Sequence, residues 1–196
     1  MSPKSLLRHP KCISTLKDLS TGTFQKMLMD PLLSADTFDA TAVEHVVFCS
    51  GKIYYDLLEH REMIDRYQES TEEADREKVR TYLKKFASFG ILNRLETGEV
   101  IDTRRIVVTR LEQLYPFPDA EILAHLKQFG QPELHWCQEE PQNMGAWPMV
   151  DEWFSDVLDA RIIHYIGRKR SASPATGSPK IHKAEQAGIV EGVYSL

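Results

Sequence analysis

Cysteine is scarce in this chain, three in 196 residues, at Cys12, Cys49 and Cys137. They are odd in number and far apart, and no CxxC pair occurs. That argues against a zinc ribbon and against a redox dithiol. Cys49 and Cys137 fall in stretches that read as buried strands, where a free thiol behaves as a small apolar side chain. A reducing compartment fits that usage. Long apolar runs are missing too. No stretch approaches the length of a transmembrane helix, and the first residues lack the apolar core of a signal peptide. Positive charge is not in excess: 24 Lys and Arg stand against 29 Asp and Glu, a net charge of -5. The most basic run, Arg168-Lys169-Arg170, is short, so no nucleic-acid footprint is expected. No internal repeat is present. With 42% hydrophobic and 27% charged residues, the remainder is an ordinary globular composition. The length suits a single large domain with a real core.

Read in order, residues 1–42 look like a linker with short amphipathic pieces. Ser5 suits the cap of a turn through Arg8. Leu16, Leu19, Phe24, Met27 and Leu28 form an apolar face, and Asp30-Pro31 breaks the segment. His45–Cys49 is the first strand. Ser50-Gly51-Lys52 follows, then Ile53, Tyr54, Leu57 and Leu58 at helical spacing, which is half of a βαβ unit. Free N–H groups at that helix start would suit an anion beside Lys52. The earlier glycine and the Lys-Ser/Thr order of a Walker loop are missing, however, so Ser50 as a plain helix cap is preferred. Residues 62–103 change character and read as a helical insertion. Ser70 and Glu73 suggest a capping box. Val79, Tyr82, Leu83, Phe86 and Phe89 line one helical face, Gly90 suits the helix end, and 93–103 reads as a loop or weak hairpin. The apolar stripe is expected to pack on its own domain. Trimming Glu69 to Glu99 is nevertheless expected to leave a cooperative fold, since loop length costs little. A second strand over 105–109, a helix capped by Asp119 and a third strand over Leu134–Cys137 come next. A helix over 147–158, a fourth strand over 161–166 and a helix over 180–194 complete the pattern. Strands alternating with helices give an α/β fold, with a mostly parallel sheet covered on both faces.

The stretch Leu134–Trp147 carries the most function-bearing chemistry. Its strand is expected to stop at Gln138-Glu-Glu-Pro141, because proline lacks the N–H that a continuing strand needs. Asn143 and Gly145 then supply turn chemistry before the helix. A polar strand-end crevice of this kind is where open α/β sheets place ligands or partners. Glu139 and Glu140 invite a two-carboxylate hydrolase mechanism, but adjacent residues on extended backbone point to opposite faces and cannot flank one bond. His135, Cys137 and Glu139 share one face and form a weak mixed metal trio. The preferred reading is a core strand whose exit carboxylates serve an interface.

Five blocks run in an order that resembles the C-terminal domain of the thiamine-dependent first component of 2-oxoglutarate dehydrogenase. They are Met1-Ser-Pro-Lys-Ser-Leu-Leu-Arg-His9, Cys49-Ser-Gly-Lys-Ile-Tyr-Tyr-Asp-Leu57, Arg110-Leu-Glu-Gln-Leu-Tyr-Pro-Phe-Pro118 and Trp136-Cys-Gln-Glu-Glu-Pro-Gln-Asn-Met-Gly-Ala-Trp147. The fifth is Tyr165-Ile-Gly-Arg168 with Ala172-Ser-Pro-Ala-Thr-Gly177. The relative acting on 2-oxoadipate shares much of this pattern. The resemblance implies a transketolase C-terminal-like fold and a parent that decarboxylates 2-oxoglutarate on thiamine diphosphate and magnesium. It implies other domains, a homodimer partner and a lipoyl-bearing second component, in the cytoplasm of a bacterium or the matrix of a mitochondrion. The diphosphate–magnesium motif, Gly-Asp-Gly followed by Asn, does not occur here. The resemblance therefore assigns cofactor and catalysis to earlier domains, makes Met1 an internal family position, and leaves no catalytic, cofactor or metal residue expected in this chain. The candidate interface or regulatory residues are Arg8, Lys52, Glu139, Glu140, Asn143, Gly145 and Arg168. An acyl-CoA or nucleotide is the regulatory alternative for the three basic ones.

Overall fold

The computed structural model describes residues 3–158 and 161–196. Its five strands are β1 (Met27–Leu28), β2 (His45–Cys49), β3 (Ile106–Leu111), β4 (Glu133–Pro141) and β5 (Ile163–Arg168). They form one sheet in the order β1-β3-β2-β4-β5, with β1 antiparallel and the other pairings parallel. The period-two alternation that marks a strand divides its side chains between two cores. Val47, Cys49, Val108 and Cys137 face α2 (Ile53–Glu69), α3 (Glu73–Phe86), α4 (Phe89–Glu96) and α7 (Pro179–Val193). Val46, Phe48, Val107, Leu134 and Trp136 face α5 (Asp119–Leu126) and α6 (Trp147–Val157). The expected α/β architecture is therefore the observed one. No helix of the described residues is long and apolar enough to cross a membrane.

Connections decide where a site can sit. From β2 the chain leaves toward the α2 face, and from β4 it leaves toward the α6 face. These two strands are neighbours, so their carboxyl ends diverge and open a crevice at the topological switch point.

Several local expectations give way to tertiary structure. The strand expected to end before Pro141 continues through it. Pro141 pairs with Arg168 across a register shift that follows Cys137, and at such an irregularity the missing N–H breaks no ladder bond. Neither Ser50 nor Asp119 caps a helix: the N-caps are Lys52 and Pro118, without side-chain bonds. Ser70 instead accepts the Glu72 N–H at 3.1 Å in a local turn. Helix α3 ends at Ala87, which takes the left-handed conformation (φ 60°) expected of Gly90. Gly90 lies inside α4, which runs on to Glu96 into the stretch expected as a loop or weak hairpin. The first turn of α4 is held from a distance, by the Glu191 carboxylate accepting the Gly90 N–H at 2.6 Å.

Residues 62–103 are continuous with the core. Residues 62–69 complete α2, and Val79, Leu83, Ile91, Leu92 and Leu95 are buried in the α2/α7 core. The expected packing of the stripe on its own domain holds, except that Phe89 is exposed. The N-terminal segment is fixed at two places, near its start and at its end. Near its start, His9 lies 3.0 Å from Glu59, Lys11 pairs with Glu62, and Leu6 and Cys12 pack on the α2 core. Asp30, 1% exposed, accepts two hydrogen bonds of 2.7 Å from Arg61 Nη1, and Val108 N–H donates to it at 2.7 Å. Before that anchor, α1 (Leu16–Thr21) is held by a Thr15–Asp18 capping box and buries none of its residues.

Candidate functional site

The crevice at the switch point is closed by the protein's own charges. Lys52, just after β2, and Glu139, near the end of β4, meet across it at 3.0 Å. Lys52 also pairs with Asp56 one helical turn on, and Gln186 of α7 donates to the same Asp56 oxygen at 2.8 Å. Burial by itself would lower the Lys52 ammonium, but Glu139 and Asp56 outweigh it and raise it above the ordinary lysine range. Arg168, at the end of β5, is engaged in the same manner. It lies 2.9 Å from Glu185 of α7 and donates to Thr176 Oγ1 at 2.8 Å and to the Pro174 carbonyl at 3.1 Å. Neither cation is free to meet an anion without breaking these contacts. Arg8 is exposed and forms no ion pair among the described residues. The three basic candidates thus do not converge on one ligand.

Glu139 and Glu140 point apart, as expected from extended backbone. The Glu139 carboxylate reaches Lys52, whereas Glu140 is exposed and contributes its carbonyl to Tyr165 Oη at 2.9 Å. Beyond them the turn is built on Gln138, a buried residue that sequence reasoning assigned only to the strand end. Its Oε1 accepts from Trp136 Nε1 at 2.9 Å and from the Trp147 N–H at 3.0 Å. Its Nε2 donates to the carbonyls of Met144 at 2.7 Å and Pro141 at 3.2 Å. The signal was available: Gln138 continues the inward alternation of Leu134 and Trp136, and a buried amide must find partners. Gly145 (φ 67°) packs on that amide, and a Cβ there would lie 2.9 Å from Gln138 Nε2. Asn143 exchanges two hydrogen bonds with the Ser171 backbone, at 2.9 and 3.0 Å, fastening the turn to the loop after β5. Asp56 and Gln186 were likewise missed. The Lys52–Asp56 spacing is a helical i,i+4 pair, whereas Gln186 required knowing where α7 lies.

The trio His135, Cys137 and Glu139 does not gather. Cys137 is wholly buried beside Cys49, and burial pushes its thiol well above the ordinary range. Glu139 faces Lys52. His135 turns to the opposite, amino end of the sheet, toward His45 and Glu133. Burial first, then the neighbouring His45 and His164, push the His135 imidazole down to about 4. An open cleft of about 1070 Å³ lies elsewhere, between residues 30–35, α2 and the start of α3, and contains none of the candidate residues.

A magnesium–diphosphate site needs several free oxygen donors in near-octahedral array. Around the crevice Glu139 and Asp56 are engaged by Lys52, and Glu185 by Arg168. Among the described residues, the one group of three potential metal ligands is nitrogen-rich. These donors do not fit thiamine diphosphate and magnesium.

Comparison with known proteins places this geometry. A family model described as 2-oxoglutarate dehydrogenase C-terminal matches residues 13–78 and 92–194. The chain is 34% identical over 197 residues to a 2-oxoglutarate dehydrogenase E1 component of Cupriavidus necator, covering 100% of this chain and 16% of that protein. It is 34% identical to the Haemophilus influenzae E1 component, covering 100% and 17%. With the Brucella anthropi E1 component it shares 36% identity, covering 97% and 16%. The chain therefore spans about one sixth of the length of these relatives. It belongs to the 2-oxoglutarate dehydrogenase C-terminal domain family.

Proposed function

We propose that this domain is a non-catalytic interface unit of a 2-oxoglutarate dehydrogenase E1 component, docking against the remaining domains of the parent. The observation that carries the reading is the N-terminal segment: Leu7, Ile13, Leu16, Leu19 and Phe24 are each at least 69% exposed. Scattered apolar side chains on a surface are ordinary, but five within eighteen residues, left exposed although His9 and Lys11 among them pair with α2, need a cover. The relatives are about six times longer than this chain, so they possess the surface that would provide one. The crevice points the same way, because its cations are already neutralised and its turn is built for rigidity.

In this reading the parent decarboxylates 2-oxoglutarate on thiamine diphosphate and magnesium held by other domains. It works with a second copy and with a lipoyl-bearing second component, in the cytoplasm of a bacterial cell. Relatives named for 2-oxoglutarate favour that substrate over 2-oxoadipate. Within the expected helical insertion, the family model leaves 79–91 unmatched, and we assign the foreign portion to that stretch. Leu16→Asp with Leu19→Asp tests the interface. The double variant should melt like the parent chain, since both positions are exposed, and should fail to co-purify with the remaining E1 portion of the Haemophilus influenzae relative. Undiminished co-purification would refute the N-terminal segment as the docking face.

A further inference from the structure

At the amino end of the sheet, opposite the crevice, three donors from two neighbouring strands converge. His45 of β2 stands across from Glu133 of β4 in the ladder register. His135 follows Glu133 by two residues and so shares its face. The resulting separations are 3.2 Å between His45 Nδ1 and His135 Nε2, 3.7 Å between His45 Nδ1 and Glu133 Oε2, and 3.9 Å between His135 Nε2 and Glu133 Oε2. One point in the plane of these atoms lies about 2.1 Å from all three, within the range of zinc–imidazole and zinc–carboxylate bonds. The strand pairing holds the two histidines, so the donors meet without rearrangement of the backbone.

Taken only as hydrogen bonding, the arrangement is under-used. The two imidazoles share one contact, between His45 Nδ1 and His135 Nε2. The Glu133 carboxylate is beyond hydrogen-bond reach of either ring and makes no other ion pair among the described residues. Side-chain exposure is 13% for His45, 4% for His135 and 65% for Glu133. Two ligands are thus held in the protein, while the third opens to solvent and offers a route of entry.

We infer that His45, His135 and Glu133 form a binding site for a divalent late transition metal of the zinc class, with a fourth coordination position left open. Two imidazoles and one carboxylate suit zinc, cobalt or nickel, whereas magnesium and calcium require mainly oxygen donors. The ion would bridge β2 and β4 at the end of the sheet remote from the crevice.

The test is cobalt titration of the full 196-residue chain, followed by visible absorption, with zinc and magnesium as competitors. Saturation at one ion per chain is expected, with the intense bands of four-coordinate cobalt, displaced by zinc and not by magnesium. Even second-shell changes cost about 10–100-fold in affinity, so losing a ligand should cost at least about tenfold. His45→Gln and Glu133→Gln should each show that loss while circular dichroism remains unchanged. If His45→Gln fails to fold, the exposed Glu133→Gln decides alone. Absence of saturable binding by the parent chain overturns the site. So does binding that survives Glu133→Gln at full strength, because the carboxylate would then not be a ligand.

Discussion

The two ends of β4 differ in how their polar groups are spent. At the carboxyl end, Glu139 meets Lys52, Gln138 uses both atoms of its amide, and Asn143 clamps the following loop. At the amino end, Glu133, His135 and His45 converge on one point, with the carboxylate beyond hydrogen-bond reach of both rings. A satisfied polar network rigidifies and specifies a shape, whereas an unsatisfied one costs free energy unless a ligand completes it. The carboxyl end is accordingly a built corner whose polar atoms are already partnered. The amino end holds uncommitted donors, where we infer that an ion binds. Position at the mouth of an α/β crevice does not by itself separate these roles, but the partner of each polar atom does.

The comparison assumes a sheet held rigid beneath both ends, and the largest expected effect tests that assumption. Deleting Glu69 to Glu99 removes five buried apolar side chains, Val79, Leu83, Ile91, Leu92 and Leu95. Each contributes about 1.5–3 kcal/mol, against a total of about 5–15 kcal/mol for a whole domain. The deletion should abolish cooperative thermal unfolding, contrary to the sequence expectation that the segment can be trimmed. A sharp melt from the shortened chain would show that the sheet does not depend on it.

Next in size is Asp30→Ala, which leaves Arg61 buried at 5% exposure without its carboxylate. A cost of about 3–5 kcal/mol in urea unfolding is expected. A change below 1 kcal/mol (roughly the exposed-pair range) would show that the pair is solvated and the N-terminal segment is not anchored there. Gly145→Val then probes the corner itself. Positive φ and a Cβ about to strike Gln138 should together cost about 2 kcal/mol or more. An unchanged melting temperature would mean the turn relaxes freely and the corner is not rigid. Smallest is Glu139→Gln. The side chains of Glu139 and Lys52 are 26% and 21% exposed, and Asp56 remains beside Lys52. The expected cost is about 1 kcal/mol or less, with weaker association to the remaining E1 portion by pull-down. A large stability loss would make the pair structural rather than interfacial.

Much of this was legible in the sequence, for identifiable reasons. Short, bulky apolar runs in His45–Cys49 and Leu134–Cys137 placed two central strands, and extended geometry separated Glu139 from Glu140. Gly145 was marked by turn chemistry and has the positive φ expected of it. The failures depended on contacts distant along the chain. Gly90 resembled a helix stop because nothing local indicated Glu191 would hold its N–H. Pro141 resembled a strand stop because its register shift belongs to the pairing with β5. His135 was noticed, but His45 lies 90 positions away, and the parallel register that brings it near cannot be read from composition or spacing.

The central claim is that this domain completes a 2-oxoglutarate dehydrogenase E1 component whose chemistry lies in other domains. Decarboxylation of a 2-oxo acid requires an electron sink supplied by a cofactor, and the donors of this chain do not fit that cofactor. The direct measurement is 2-oxoglutarate-dependent reduction of an artificial acceptor, with thiamine diphosphate and magnesium present. It is made with this chain alone, with the remaining portion of a relative's E1 alone, and with the two co-expressed. The account predicts no turnover by this chain alone and restored turnover when the two are combined. Turnover by this chain alone would contradict the placement of the chemistry, and an inactive combination of two folded, associated halves would contradict the assignment to this enzyme.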